Sequence, residues 1–319
     1  MKELPINLNP YAKTFQHSAL PISALTAENP ENKIFMLNNI TQVQYFTEHT
    51  TIDFYANGIY FDDWECSECR FDQQSDIGND IIEYIHNSIN KGYYVYTFIN
   101  EMFLPNRFFY LKSYFEHDIL IYGYDDKYLF VLGYDETGFL NPSKVSCDEF
   151  NKAIESLYTG IERAVISFKS NKNYENEIDI GLNIALIDDY LNSYNSSARH
   201  KIYNQFVQDK IWGINAFEMV LNDLIINNTI NIKYWDLLYE HKRLMNDRIE
   251  LFSTITDVSV IQENYKRILN MSSILKMLIL KYRTSCNKKI LFDVENKMCE
   301  LIASEKDIIN NFINKLKAL

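Results

Sequence analysis

Glycine is scarce in this chain, nine among 319 residues, and it never falls into the spacings that cradle phosphate or expose a strained serine. Neither GxGxxG, nor GxxxxGK followed by Ser or Thr, nor GxSxG occurs, so a nucleotide fingerprint and a hydrolase nucleophile elbow are both unsupported. Positive charge is in deficit too, with 31 Lys and Arg against 43 Asp and Glu and a net charge of -12. That balance opposes an electrostatic grip on nucleic acid or anionic lipid, each of which needs a basic surface. No run approaches the roughly 18 uninterrupted apolar residues of a membrane span, and the opening residues MKELPINLNPYAKTF have no apolar stretch of the secretory kind. A cytoplasmic protein with reduced thiols is the expectation, because five cysteines form no even-numbered disulfide framework. Cys66 and Cys69 have the spacing of half a metal site, but no second CxxC or HxxxH pair completes it. They read as two incidental thiols on a loop, with no metal and no cofactor expected.

What the chain has in abundance is apolar and aromatic material, 47% and 14% of its residues, enough for one large core or two domains. Its period changes along the length. Residues 14–27 carry Phe15, Ala19, Ile22 and Leu25 on one helical face, with Pro21 set to kink the helix or delay its start. Residues 34–61 alternate, with turn residues at Asn38–Asn39 and Asn57–Gly58, and predict irregular strands. Ile81, Tyr84, Ile85 and Ile89 predict a helix over 80–90, and Ser146 with Glu149 forms a capping-box pattern for another. Between these helices, residues 117–124 (HDILIYGY) and 128–135 (YLFVLGYD) flank Asp125, Asp126 and Lys127 as a buried hairpin. His117 stands at its mouth, either a hydrogen-bonded rim residue or an acid-base group. The polar stretch 170–176 (SNKNYEN) marks a domain boundary, and beyond it five segments repeat apolar residues at three-and-four spacing. Four further histidines, His49, His86, His200 and His241, lack partners at ligand spacing and read as solvated.

Residues 99–117 ending in His117, the hairpin that follows and the H-x5-G-Y run from His117 to Tyr124 together resemble the N-terminal domain of the butirosin-biosynthesis acyltransferase family, related to papain-like and C39 cysteine peptidases. The resemblance covers about residues 5–155. The helical remainder is similar to the C-terminal region of clostridial and bacillar relatives in nonribosomal peptide clusters. It implies an α+β fold, a papain-like domain with an antiparallel sheet over 1–170 and an all-α helical bundle over 171–319. It also implies an activity: a cysteine at the start of the N-terminal helix takes an acyl group from a phosphopantetheine carrier thioester, and the strand histidine serves an incoming amine. Family members begin that helix with Cys, then Phe or Trp, and this chain reads Thr14-Phe15-Gln16-His17-Ser18-Ala19-Leu20, with Thr14 in the cysteine position and Ser18 one turn on. Where papain-like proteins place an orienting Asp or Asn, this chain has Gly133, with Asp135 two residues later.

Two readings follow from the resemblance. One is an amide-forming acyltransferase that uses His117 with Thr14 or Ser18 and with Asp135, or His117 alone as general base for direct aminolysis. The other is a catalytically silent homologue that binds an acyl or peptidyl carrier protein, a cysteine-bearing paralogue or a second copy of itself.

Overall fold

The computed structural model describes residues 1–28, 32–55, 64–70, 78–157, 164–170, 177–199 and 210–319, with the side chains at 64–70, 78–80, 164, 170 and 199 excepted. It is mixed α+β, with antiparallel sheets in the N-terminal half and helices gathered mostly in the C-terminal half. The chain forms two compact units: residues 1–32 with 58–175, and residues 33–57 with 176–319.

The first unit is built on seven strands: β1 (Lys2–Glu3), β4 (Trp64–Arg70), β5 (Tyr94–Asn100), β6 (Glu116–Tyr124), β7 (Tyr128–Tyr134), β8 (Leu140–Ser146) and β9 (Ala164–Ser170). Their order is β4-β9-β5-β6-β7-β8, with β1 also paired to β6, and every pairing is antiparallel. The β6–β7 hairpin turns where its sequence indicates, Asp125 Oδ1 accepting the N–H groups of Lys127 and Tyr128 at 3.0 and 2.9 Å. A bulge between Ile121 and Gly123 shifts the register, and a Cβ at Gly123 would lie 2.8 Å from the Lys2 carbonyl oxygen, so glycine lets β1 pass.

Helices α3 (Gly78–Asn90) and α4 (Cys147–Glu155) cover one face of this sheet, packing Ile85, Ile89, Phe150 and Ile154 against Val95, Ile119, Ile121 and Val131. The Ser146–Glu149 capping box forms as its residues indicate, with Glu149 N–H to Ser146 Oγ 3.2 Å and Ser146 N–H to Glu149 Oε2 2.9 Å. Helix α1 (Gln16–Glu28) packs on β6, β7 and β9. It starts two residues later than the sequence suggests and runs through Pro21, which forgoes one helical hydrogen bond. Cys66 and Cys69 lie on strand β4 instead of a loop, at pairing positions opposite Phe168 and Val165; the expectation about their thiols falls outside the described residues, as do the turn at 57–58, the linker at 171–176 and His200.

The second unit is not purely helical. Five helices follow the three-and-four spacing: α5 (Ile180–Asn192), α6 (Ile214–Asn227), α7 (Ile232–Phe252), α8 (Ser259–Ser285) and α9 (Lys288–Leu316). To these the unit adds a short helix α2 (Lys33–Asn39) and a three-stranded sheet in the order β10-β2-β3, from β2 (Val43–Phe46), β3 (Thr51–Phe54) and β10 (Lys210–Trp212). A buried arginine ties the α2 segment into this unit. Arg248 donates from Nε to the Leu37 carbonyl in the last turn of α2 at 2.8 Å and from Nη2 to the Ile40 carbonyl just beyond it at 2.9 Å, from a helix more than two hundred residues away in sequence. Asn38 fastens the same segment to the start of α5 through Asp179 N–H and Asn183 Nδ2, 3.2 and 2.9 Å from its Oδ1. His241 is not solvated but buried, donating from Nε2 to the Thr41 carbonyl at 2.8 Å.

Beside it Lys242 and Glu305, both fully buried, form a 2.7 Å ion pair, and Tyr190 and Tyr265 donate their hydroxyls to the same carboxylate at 3.0 and 2.5 Å. Removing one member of such a pair strands the other charge, so Glu305→Leu should lower the stability of the helical unit by about 3–5 kcal/mol. The double change Lys242→Met with Glu305→Leu should recover most of that loss. Urea unfolding followed by far-ultraviolet circular dichroism tests this; a double variant no more stable than Glu305→Leu would show that the ionic pairing is not what the helices depend on.

Candidate functional site

A cluster of buried polar groups in the first unit lies where β6 begins and β7 ends, beside the start of α1. Strand alternation alone would send His117 and Asp118 to opposite faces of β6. The imidazole instead folds back over its own strand end, placing Nδ1 2.6 Å from Asp118 Oδ1. Asp118 is 5% exposed, and its other oxygen accepts the Tyr96 hydroxyl at 3.0 Å. This contact fixes the tautomer: a carboxylate oxygen at that distance requires a proton on Nδ1, which leaves Nε2 as the acid-base atom. Burial alone would push the His117 imidazole down, but the hydrogen bond and charge of Asp118, with the charge of Glu101, outweigh it and raise the imidazole above its ordinary value.

Glu101 begins a single 3-10 turn after β5 and is itself buried, which pushes its carboxyl up against the opposing charges of His117 and Arg107. Arg107 is 4% exposed and donates from Nη1 to the Tyr134 carbonyl at 2.5 Å. Its guanidinium rests on Gly133, where a Cβ would stand 2.7 Å from Nη1, so that position is kept bare to admit the arginine. On the solvent side the His117 ring follows Phe115 at 5.5 Å, Phe115 stacks on Phe109 at 4.2 Å, and Phe108 meets Phe109 edge-on at 5.0 Å.

The helix end that faces His117 carries Gln16. Its Nε2 lies 2.9 Å from His117 Nδ1 and donates to the Asp118 carbonyl, while its Oε1 accepts the Tyr134 N–H at 2.6 Å. The first helical hydrogen bonds of α1 run from Ser18 and Ala19 N–H to the Phe15 carbonyl, which sets Gln16 at the first helical position and leaves Thr14 outside the helix. Thr14 is buried just ahead of it, and Ser18 is buried with an Oγ that has no hydrogen-bond partner among the described residues. Asp135 does not turn to the imidazole. Against the effect of burial, bonds from Thr137, Asn141 and the Phe139 N–H hold its carboxyl down to about 2, and they commit it to its own turn.

Of the residues expected from sequence, His117 stands at the centre of the cluster, whereas the imidazole's contacts come from Asp118 and Gln16. Asp118 was hidden by strand parity. Gln16 was hidden by a two-residue uncertainty in where the helix begins, and Arg107 by the absence of any local pattern that marks a buried cation. A separate cleft of about 270 Å3, lined by Met1, Glu3, Tyr122, Phe130, Pro142, Ser143 and Lys144, shares no residue with this cluster. No protein-family model matches the chain, and no curated protein matches it at a significant level.

The raised imidazole has a signed consequence. A histidine held above its unfolded value of about 6.5 contributes stability that is complete below that pH and is lost as pH rises through the folded value. Asp118→Asn should therefore bring the His117 midpoint down in an NMR titration and destabilise the protein more at pH 6 than at pH 9. Equal destabilisation at both values would mean that Asp118 acts on the fold without acting on the imidazole.

Proposed function

We propose that this protein is an amide-forming acyltransferase of papain-like descent that uses His117 as a general base and no covalent nucleophile. The acyl group comes from a carrier-protein thioester in nonribosomal peptide-type biosynthesis, in the cytoplasm. The observation that carries the reading is the His117–Asp118 pair, with Nδ1 committed at 2.6 Å and Nε2 left to take a proton.

The first helical position, where a papain-like nucleophile would face the imidazole, holds a carboxamide that cannot attack a thioester. A thioester is already activated, so a bound amine needs only proximity and the removal of its proton as it attacks. In the resulting sequence the amine nitrogen adds to the thioester carbonyl, its proton passes to His117 Nε2, and Asp118 balances the imidazolium. The tetrahedral intermediate then expels the pantetheine thiolate, which recovers the proton from Nε2. The rings of Phe115 and Phe109 beside the imidazole give an apolar acyl group a surface to lie on.

His117→Ala should lower amide formation by roughly 100- to 10,000-fold in a carrier-thioester assay, the contribution of a positioned general base. Thr14→Val and Ser18→Ala should leave the rate within about threefold of the parent, and intact-mass spectrometry should find no acyl-enzyme. The rate should rise with pH to a plateau above the raised His117 value. Full activity in His117→Ala removes the proposal. So does a tight complex with a cysteine-bearing paralogue and no transfer from any cognate carrier, which would make the chain a silent binding subunit.

A further inference from the structure

Strands β6 and β7 are paired through Leu120 and Leu132 and then part, although both continue. Two residues further along an antiparallel ladder, Asp118 and Tyr134 would be partners, with the Tyr134 N–H directed at the Asp118 carbonyl. Neither group is left unsatisfied. The Tyr134 N–H donates to Gln16 Oε1 at 2.6 Å, and Gln16 Nε2 donates to the Asp118 carbonyl. A side-chain amide carries the same donor and acceptor as a peptide group, so the Gln16 carboxamide completes the ladder from a third element while holding the two strands further apart. Its orientation is fixed by these bonds, because exchanging N and O would set donor against donor at Tyr134 and acceptor against acceptor at Asp118.

Gln16 Nε2 itself lies 2.9 Å from His117 Nδ1 and 3.3 Å from Asp118 Oδ1. With the Nδ1 proton given to Asp118 Oδ1, the acceptor left for Nε2 on this side is Oδ1 at 3.3 Å, and its 2.9 Å approach to Nδ1 is a packing contact between two donors. The same carboxamide therefore sets the gap between the strands and ties the carboxylate that orients the imidazole. Gln16 is 3% exposed, and burial at this depth confines it to one arrangement.

We propose that Gln16 is the positioning residue of this site, a surrogate peptide group between β6 and β7 that holds Asp118 on the Nδ1 side of His117. Its catalytic consequence rests on the acid-base reading of His117; its geometry does not. The charged groups bearing on the imidazole are Asp118 on its own strand and Glu101 from the turn after β5, with Arg107 acting on both carboxylates.

Two near-isosteric changes test it in the full chain. Gln16→Met removes both bonds: the Tyr134 amide should exchange roughly tenfold faster, the value of one buried hydrogen bond. The His117 midpoint should fall, and long-range proton–nitrogen NMR should show its single Nδ1–H tautomer becoming a mixture. Gln16→Glu keeps an acceptor for Tyr134 but brings a negative charge beside Nδ1, so the midpoint should rise. In the carrier assay Gln16→Met should lower kcat by roughly tenfold with KM little changed.

A residue that only packs would not move the midpoint in opposite directions in the two variants; unchanged midpoints and tautomer in both overturn the proposal. Should Gln16→Met fail to fold, the Gln16→Glu titration and the tautomer of the unmodified protein decide it, since an Nε2–H tautomer there is equally fatal. The NMR readouts need no substrate. Shifted titrations without acyl transfer from any carrier would leave the positioning role standing and remove the proposed activity.

Discussion

A charge in a protein interior costs several kcal/mol unless polar partners surround it, and both units of this chain are arranged to meet that cost. In the second unit the Lys242 ammonium sits on Glu305, and the spare lone pairs of that carboxylate are taken by Tyr190 and Tyr265, so α5, α7, α8 and α9 converge on one carboxylate. Among the described residues no carboxylate forms an ion pair with Arg248. It is satisfied by backbone carbonyls of residues 37 and 40 and by Asn183, and those bonds draw an early stretch of chain into a late domain. In the first unit the same requirement makes Gly133 bare, brings Arg107 over it and leaves Asp118 shared among an imidazole, a tyrosine and a carboxamide.

The chemistry available at the His117 end follows from that sharing. A carboxylate on Nδ1 fixes which nitrogen reacts, raises the basicity of the ring and stays close to stabilise the imidazolium. An aromatic path from Phe108 through Phe109 and Phe115 reaches the ring from solvent. The arrangement offers proton transfer beside an apolar surface. Among the described residues no thiol or hydroxyl is bonded to the imidazole, and the proposed route relies on a donor activated before it arrives.

Much of the fold was legible because its signals are local. The hairpin turn is read from Asp125, whose side chain organises the backbone two and three residues on; the capping box is read from Ser146 and Glu149; the five long helices are read from apolar spacing. Helix α2 was not legible. Seven residues hold too few turns to show a period, and its Leu37 carbonyl is satisfied by Arg248, which no pattern around residues 33–39 can announce. His241 reads as a surface residue among charged neighbours, yet the neighbour is Lys242, buried with it.

By itself the sequence determined the antiparallel hairpin and its turn, the start of α4, the change from strand to helix period and the prominence of His117, since each depends on residues within a few positions of one another. The tertiary structure alone decided which groups meet at the imidazole. Gln16 and His117 are 101 residues apart, and whether position 14 or 16 faces the ring turns on a rotation of about 200° around the helix axis, which the onset of α1 sets. Asp118 meets Nδ1 at the end where the β6–β7 pairing stops and a carboxamide stands between the strands. The parting of two strands and the side chain inserted between them are properties of the assembled sheet.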